Sequence, residues 1–243
     1  MEKIKYITEL SSEDIKTQTV IKCLNHQGFE TILIKNLNDN KNTTSFNNND
    51  LTFRKNVELL LDNESVFVHM IICNSKTKYI IKSFNIVYEY LFNKIDTPLS
   101  DDEFMRVVLS LVELFEKGSS NITEQIGFVG ELLTLHYFIV NDRKEVANFY
   151  HRFSNSKFDI EVSEKIKIEI KTSSDTIRKH KFSHSQIYSP KLDIYIASLL
   201  LYRMENSTTL YQLFDKVVNT VDDYENKLVL YKILNKLGID ENN

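Results

Sequence analysis

Asp159, Glu169 and Lys171 are the residues whose types and spacing could do chemistry together. The stretch Lys165-Ile166-Lys167-Ile168-Glu169-Ile170-Lys171 alternates charged and apolar residues without a slip. A strand turns successive side chains to opposite faces, so the three isoleucines share one face and Glu169 and Lys171 stand together on the other. Asp159 lies ten residues before Glu169, across a tight turn at Ser163-Glu164. Antiparallel pairing about that turn brings both carboxylates to the same end of a sheet. Two carboxylates and the Ile170 backbone carbonyl suit a hard cation such as Mg²⁺, which takes oxygen ligands. Such a cation polarises a phosphodiester and activates a bound water. An ammonium beside it stabilises the charge that develops on the phosphate. A half-buried antiparallel strand with no chemistry has the same alternation, so the surroundings must decide.

The elements that would position these residues can be read along the chain. Ser12 to Gln27 reads as a helix, with Gly28 as its C-terminal stop, and Glu30 to Lys35 as a strand. Residues 36–50 are Asn-rich and read as a polar loop. Residues 51–61 and 65–73 read as strands, with His69 packed in an apolar run, and Lys78 to Lys94 as an amphipathic helix. Ser100-Asp101-Asp102-Glu103 is a capping box opening a helix through Phe115. Asn121 opens another helix to about Val140, with Gly127 and Gly130 inside it. Glycines there cost roughly 1 kcal/mol each and are tolerated where another backbone approaches closely. Glu131 follows Gly130, either as a solvated carboxylate or as a further site acid. Three strands are expected next, Ala147 to Phe153, Lys157 to Val162, and Lys165 to Lys171. Ser183-His184-Ser185-Gln186 caps a short helix that Pro190 stops. Asp193 to Tyr202 reads as a buried strand. Two helices, about Thr208 to Val221 and Asp222 to Leu237, close the chain at Gly238.

That order places helices around a mixed sheet, an α/β (α+β) fold. The expected domains are an N-terminal α+β region at 1–99 and a second domain at 100–243. Hydrophobic residues make up 42% and charged residues 26% of the 243, which is ordinary for a globular domain. No apolar run reaches the ~18 residues of a membrane span, and the N-terminal residues lack a signal-peptide pattern, so a cytoplasmic protein without a membrane partner is expected. Cys23 and Cys73 have no metal or redox spacing. Five glycines leave no phosphate-cradling loop. The net charge is −4, which argues against a non-specific polyelectrolyte binder. The stretch 164–181 nevertheless carries six basic against three acidic side chains.

Asp159…Glu169-x-Lys171, in this element order, resembles the active site of the PD-(D/E)xK nuclease superfamily. Gly127-Phe128-Val129-Gly130-Glu131-Leu132-Leu133-x-Leu135 is similar to the helix motif of a prokaryotic "PD-(D/E)xK family member" group seen in restriction and phage-defence gene clusters. Arg178-x-His180-x-Phe182-Ser183-x-x-Gln186 resembles that group's segment after the lysine. Leu210-x-x-Leu213-Phe214 and Leu230-x-x-Ile233-Leu234 resemble its C-terminal helices. The resemblance covers roughly 100–240. Phe158-Asp159 departs from Pro-Asp, and with no Trp in the chain, Phe149 or Tyr150 stands where the group has an aromatic residue.

The resemblance implies a restriction-endonuclease-like core with an N-terminal α+β extension and C-terminal helices. It implies a Mg²⁺-dependent DNA endonuclease, with Mn²⁺ able to substitute. Asp159, Glu169 and the Ile170 carbonyl would bind metal, Lys171 would be the catalytic lysine, and Glu131 a further acid. Lys167, Arg178, Lys179, His180, Lys181 and Gln186 would contact DNA, although Gln186 is equally explained as the partner of Ser183 in a cap. Double-stranded DNA would be the substrate, a homodimer would cut both strands, and an ATPase or methyltransferase of a defence system would be a partner. The rival expectation is a DNA-binding or assembly subunit with a nuclease fold that is inactive without partners.

Overall fold

A computed structural model describes residues 5–38, 42–151, 156–202, 204–205 and 207–239, and no side chain at 185. Asn40 of the Asn-rich stretch and Phe153 at the end of an expected strand lie outside the described residues. The chain forms two compact units, Met1–Glu116 and Lys117–Asn243.

The first unit is built on a six-stranded sheet. In chain order it holds β1 (Lys5–Tyr6), α1 (Ser12–Thr17), β2 (Val20–Leu24), β3 (Glu30–Lys35), β4 (Thr44–Asn48), β5 (Leu51–Leu61), β6 (Glu64–Cys73), α2 (Lys78–Lys94) and α3 (Asp101–Leu114). The strand order is β1-β2-β3-β6-β5-β4. Among the described strands of this sheet only the β1–β2 pair is parallel. Ile32, Leu33, Ile34, Val68 and Ile71 are buried at its centre, four of the five β-branched, as suits a sheet strand. α2 packs against β2 and α3 against β5. The packing of α3 puts the division between units at Glu116/Lys117, whereas the expected boundary was 99/100.

Three expectations fail in this unit. The helix read over Ser12–Gln27 stops at Thr17, because Val20, Ile21 and Cys23 are buried in a strand instead. Gly28 is not a helix stop but the left-handed residue of the β2–β3 hairpin, with φ +79°. There the Asn25 side chain accepts from the Gln27 and Phe29 amides. Part of the Asn-rich stretch, Thr44–Asn48, is an edge strand. The ladder with β5, a Phe46–Phe53 ring stack and a Thr52–Asn47 hydrogen bond of 2.7 Å outweigh its loop-like composition. His69 is the packed histidine expected, stacked on Phe104 with ring centroids 4.3 Å apart. Burial pushes the Cys23 and Cys73 thiols up to about 12 and about 11, leaving them inert free cysteines.

The second unit runs α4 (Ile122–Val140), a 3₁₀ segment Lys144–Phe149, β7 (Ile166–Ser173), α5 (His184–Ile187), β8 (Asp193–Leu200), α6 (Leu210–Thr220) and α7 (Tyr224–Lys236). β7 and β8 pair in parallel, in register from Ile166↔Asp193 to Ser173↔Leu200. Among the described residues the other two expected strands shrink to one rung, Tyr150–Ile160–Ile168. The 3₁₀ segment occupies the start of the first, and His151 ends its extended run with φ +41°. The Ser163 turn is present, its hydroxyl accepting from the Lys165 and Ile166 amides. α4 packs against β7, α6 and the 3₁₀ segment. Gly130 permits that approach, since a Cβ there would meet Thr172 Oγ1 at 1.8 Å. The close neighbour is thus a side chain, and Gly127 has nothing within 4 Å. Leu132, Phe214, Val217 and Leu234 form the buried core of this unit. Among the described residues no helix is long and apolar enough to cross a membrane.

Candidate active site

One rung of the narrow sheet sets the site. Ile160 and Ile168 exchange both backbone hydrogen bonds, at 3.1 and 2.9 Å. Asp159 therefore stands opposite Glu169 on the polar face of β7, and Glu161 opposite Lys167. The Ile170 amide donates to Asp159 Oδ2 at 2.6 Å. Strand alternation points the Ile170 carbonyl the same way as its amide, beyond the end of the Asp159 strand. The expected oxygen ligands are thus grouped.

Glu169 is 2% exposed. Its Oε1 takes the Lys171 ammonium at 2.5 Å and the Gln186 amide at 2.6 Å. Its Oε2 is buried with no hydrogen-bond partner among the described residues. A buried carboxylate oxygen without a donor is costly unless something binds it. An oxygen-seeking cation fits that vacant lone pair and the neighbouring Asp159 carboxylate.

Glu131, from α4, joins this group through two residues that the sequence reading did not assign to the site. The Tyr150 hydroxyl donates to Glu131 Oε2 at 2.5 Å. His151 Nε2 lies 3.8 Å from Glu131 Oε2 and 4.0 Å from Asp159 Oδ1. Glu131, His151 and Asp159 offer ligand atoms all within 4.8 Å of one another. Burial, then the charge of Glu131, pushes the Asp159 carboxyl up to about 6, although the Ile170 amide and His151 pull it down. Burial alone would lower His151, but the Glu131, Asp159 and Glu169 carboxylates outweigh it and raise the imidazole above its ordinary range. Burial, then Glu131, holds the Tyr150 phenol well above its usual value, so it stays a donor. No local spacing marks His151, because its partners lie twenty residues back and eight ahead. Tyr150 was visible only as a stand-in aromatic.

The residues expected at DNA divide into two sets. Arg178, Lys179 and Lys181 are exposed on the loop between β7 and α5. Lys167, His180 and Gln186 are tied inside the protein. Lys167 pairs with Glu161 at 2.8 Å, with both side chains mostly buried. His180 Nε2 meets Ser198 Oγ at 2.7 Å, and Ser198 is the β8 register partner of Lys171. Gln186 is the cap partner expected, and it takes a further role at Glu169 in place of the expected DNA contact. Its Oε1 accepts from the Ser183 amide, completing the cap, while its Nε2 holds Glu169. Phe182 lies near Lys171, with the ammonium 5.8 Å from the ring centroid. The segment after the lysine therefore folds back over the site.

The family described as "Putative PD-(D/E)XK family member, (DUF4420)" has a model that matches residues 6–242, nearly the whole chain. No curated protein and no solved structure matches.

Proposed function

The chain belongs to this PD-(D/E)XK family, and from that premise we propose that it is a metal-dependent DNA endonuclease of a restriction or phage-defence system. The observation that carries the reading is the convergence of Asp159 with Glu169 and Lys171 at one face of β7, where Glu169 Oε2 has no hydrogen-bond partner among the described residues. Asp159, Glu169 and the Ile170 carbonyl would hold a divalent cation, Mg²⁺ by the oxygen character of those ligands. Bound there, such a cation supplies charge that polarises the phosphodiester and makes a water a better nucleophile. The protein does the rest. Gln186 and the Ile170 amide fix the two carboxylates. Lys171, already at the carboxylate, presents its ammonium to the charge that grows on the phosphate. Arg178, Lys179 and Lys181 are exposed and suited to backbone phosphates.

Supercoiled plasmid incubated with pure protein and MgCl₂ tests this reading. Relaxed and linear products that vanish with EDTA are expected. No product from folded protein in Mg²⁺ or Mn²⁺ would contradict it. The charge of −4 favours a second reading, in which the chain binds or assembles on DNA and cuts only with an ATPase or methyltransferase partner. Cleavage that appears only when partner proteins are added would select it.

A further inference from the structure

His151 sits where an oxygen-only metal site would have no use for it. Its ring nitrogen is 3.8 and 4.0 Å from carboxylate oxygens of Glu131 and Asp159. Those separations are too long for hydrogen bonds. They fall inside the span of two metal–ligand bonds of about 2.1 Å each. The three groups thus face a shared gap, related by charge at distances longer than a hydrogen bond.

The surroundings hold that arrangement. His151 has φ +41°, a left-handed conformation that is uncommon for any residue but glycine. Its amide donates to the Asp159 carbonyl at 2.9 Å, locking it to the rung that carries Asp159. The Tyr150 hydroxyl holds Glu131 Oε2, the oxygen that faces His151, as outer-shell donors orient ligating carboxylates. The Glu169 carboxylate, with its buried partnerless oxygen, acts electrostatically on both His151 and Asp159.

We propose that Glu131, His151 and Asp159 form a mixed nitrogen–oxygen metal site that selects a divalent first-row transition ion over Mg²⁺. Imidazole is a good ligand for such ions, whereas Mg²⁺ favours oxygen and keeps its waters. This deepens the nuclease reading by adding a transition-ion site that shares Asp159 with the oxygen site proposed for Mg²⁺, and it rests on that reading only for the use of the site.

The test binds metal to the full chain without DNA. Mn²⁺ is the probe, because electron spin-echo spectroscopy detects a nitrogen bonded to it. Wild-type protein with Mn²⁺ is expected to show histidine-nitrogen modulation, and His151→Ala to lose it. In calorimetric titrations, His151→Ala should weaken Mn²⁺ roughly 10- to 100-fold. Its Mg²⁺ affinity should stay within about 3-fold, since Mg²⁺ gains little from imidazole. Wild-type protein that binds Mn²⁺ without nitrogen modulation overturns the proposal, and needs no variant to fold. Equal losses for both ions overturn the selectivity. Plasmid cleavage in Mg²⁺ without nitrogen modulation would keep the nuclease and remove this site. Nitrogen modulation without cleavage under any condition would do the reverse.

Discussion

The central strands of the two sheets differ in what they gather. In the first unit, β3 and β6 bury Ile32, Leu33, Ile34, Val68 and Ile71 in a continuous ladder. In the second, β7 buries Glu169 with an oxygen unpartnered, and lays Asp159 and Glu131 near it. The first arrangement serves stability. The second gives stability up, because like charges and burial oppose ionisation. Strained or repulsive sites of that kind are where chemistry is placed.

The contrast can be broken from either side. Asp159→Asn should cut cleavage by about 10³-fold, equal to about 4 kcal/mol, while the fold persists by circular dichroism. Ile71→Ala should do the opposite. It removes a fully buried side chain from β6 and should cost about 2–5 kcal/mol in urea unfolding. Were Asp159→Asn to unfold the chain, or Ile71→Ala to spare it, the division of roles would fail.

A smaller effect reads the repulsion itself. The Asp159 pKa in the fold is raised to about 6, above the unfolded 3.8. Its protonated form is therefore favoured by folding, and that stability is complete below pH 3.8 and lost as pH rises through 6. Metal-free Asp159→Asn should accordingly be more stable than wild type at pH 8, by on the order of 3 kcal/mol. The advantage should shrink by pH 4. A constant difference across this range would refute the electrostatic cause.

Gly130→Ala should destabilise by about 1–3 kcal/mol through its clash with Thr172. Gly127→Ala has open space and should stabilise by up to about 1 kcal/mol. Paired thermal melts separate the two. Similar shifts would mean that α4 is not held close to β7.

Local signals explain what the sequence disclosed. The capping boxes at Ser100 and Ser183 are closed by Glu103 and Gln186, three residues on. Asp159 and Glu169 could be paired because an alternating strand and a short turn set their register. What stayed hidden depends on distant partners. The β2 strand had a helix before it and a glycine after it, and only pairing with β3 reveals its state. β4 has the composition of a loop and forms on the open edge of β5. The second-unit strands collapse to one rung, since the 3₁₀ segment and His151 redirect the backbone. Lys167 looked free for DNA until Glu161 was found opposite it. His151 enters the site only through long-range folding.

Lys171 gives the most direct measurement. Its ammonium pairs with the buried Glu169 carboxylate and lies over the Phe182 ring, so Lys171→Ala will cost some stability, and circular dichroism first checks that the variant is folded. Side-by-side plasmid cleavage with metal should then show products from wild type alone, abolished by EDTA. Equal and EDTA-insensitive products from both proteins would contradict the account.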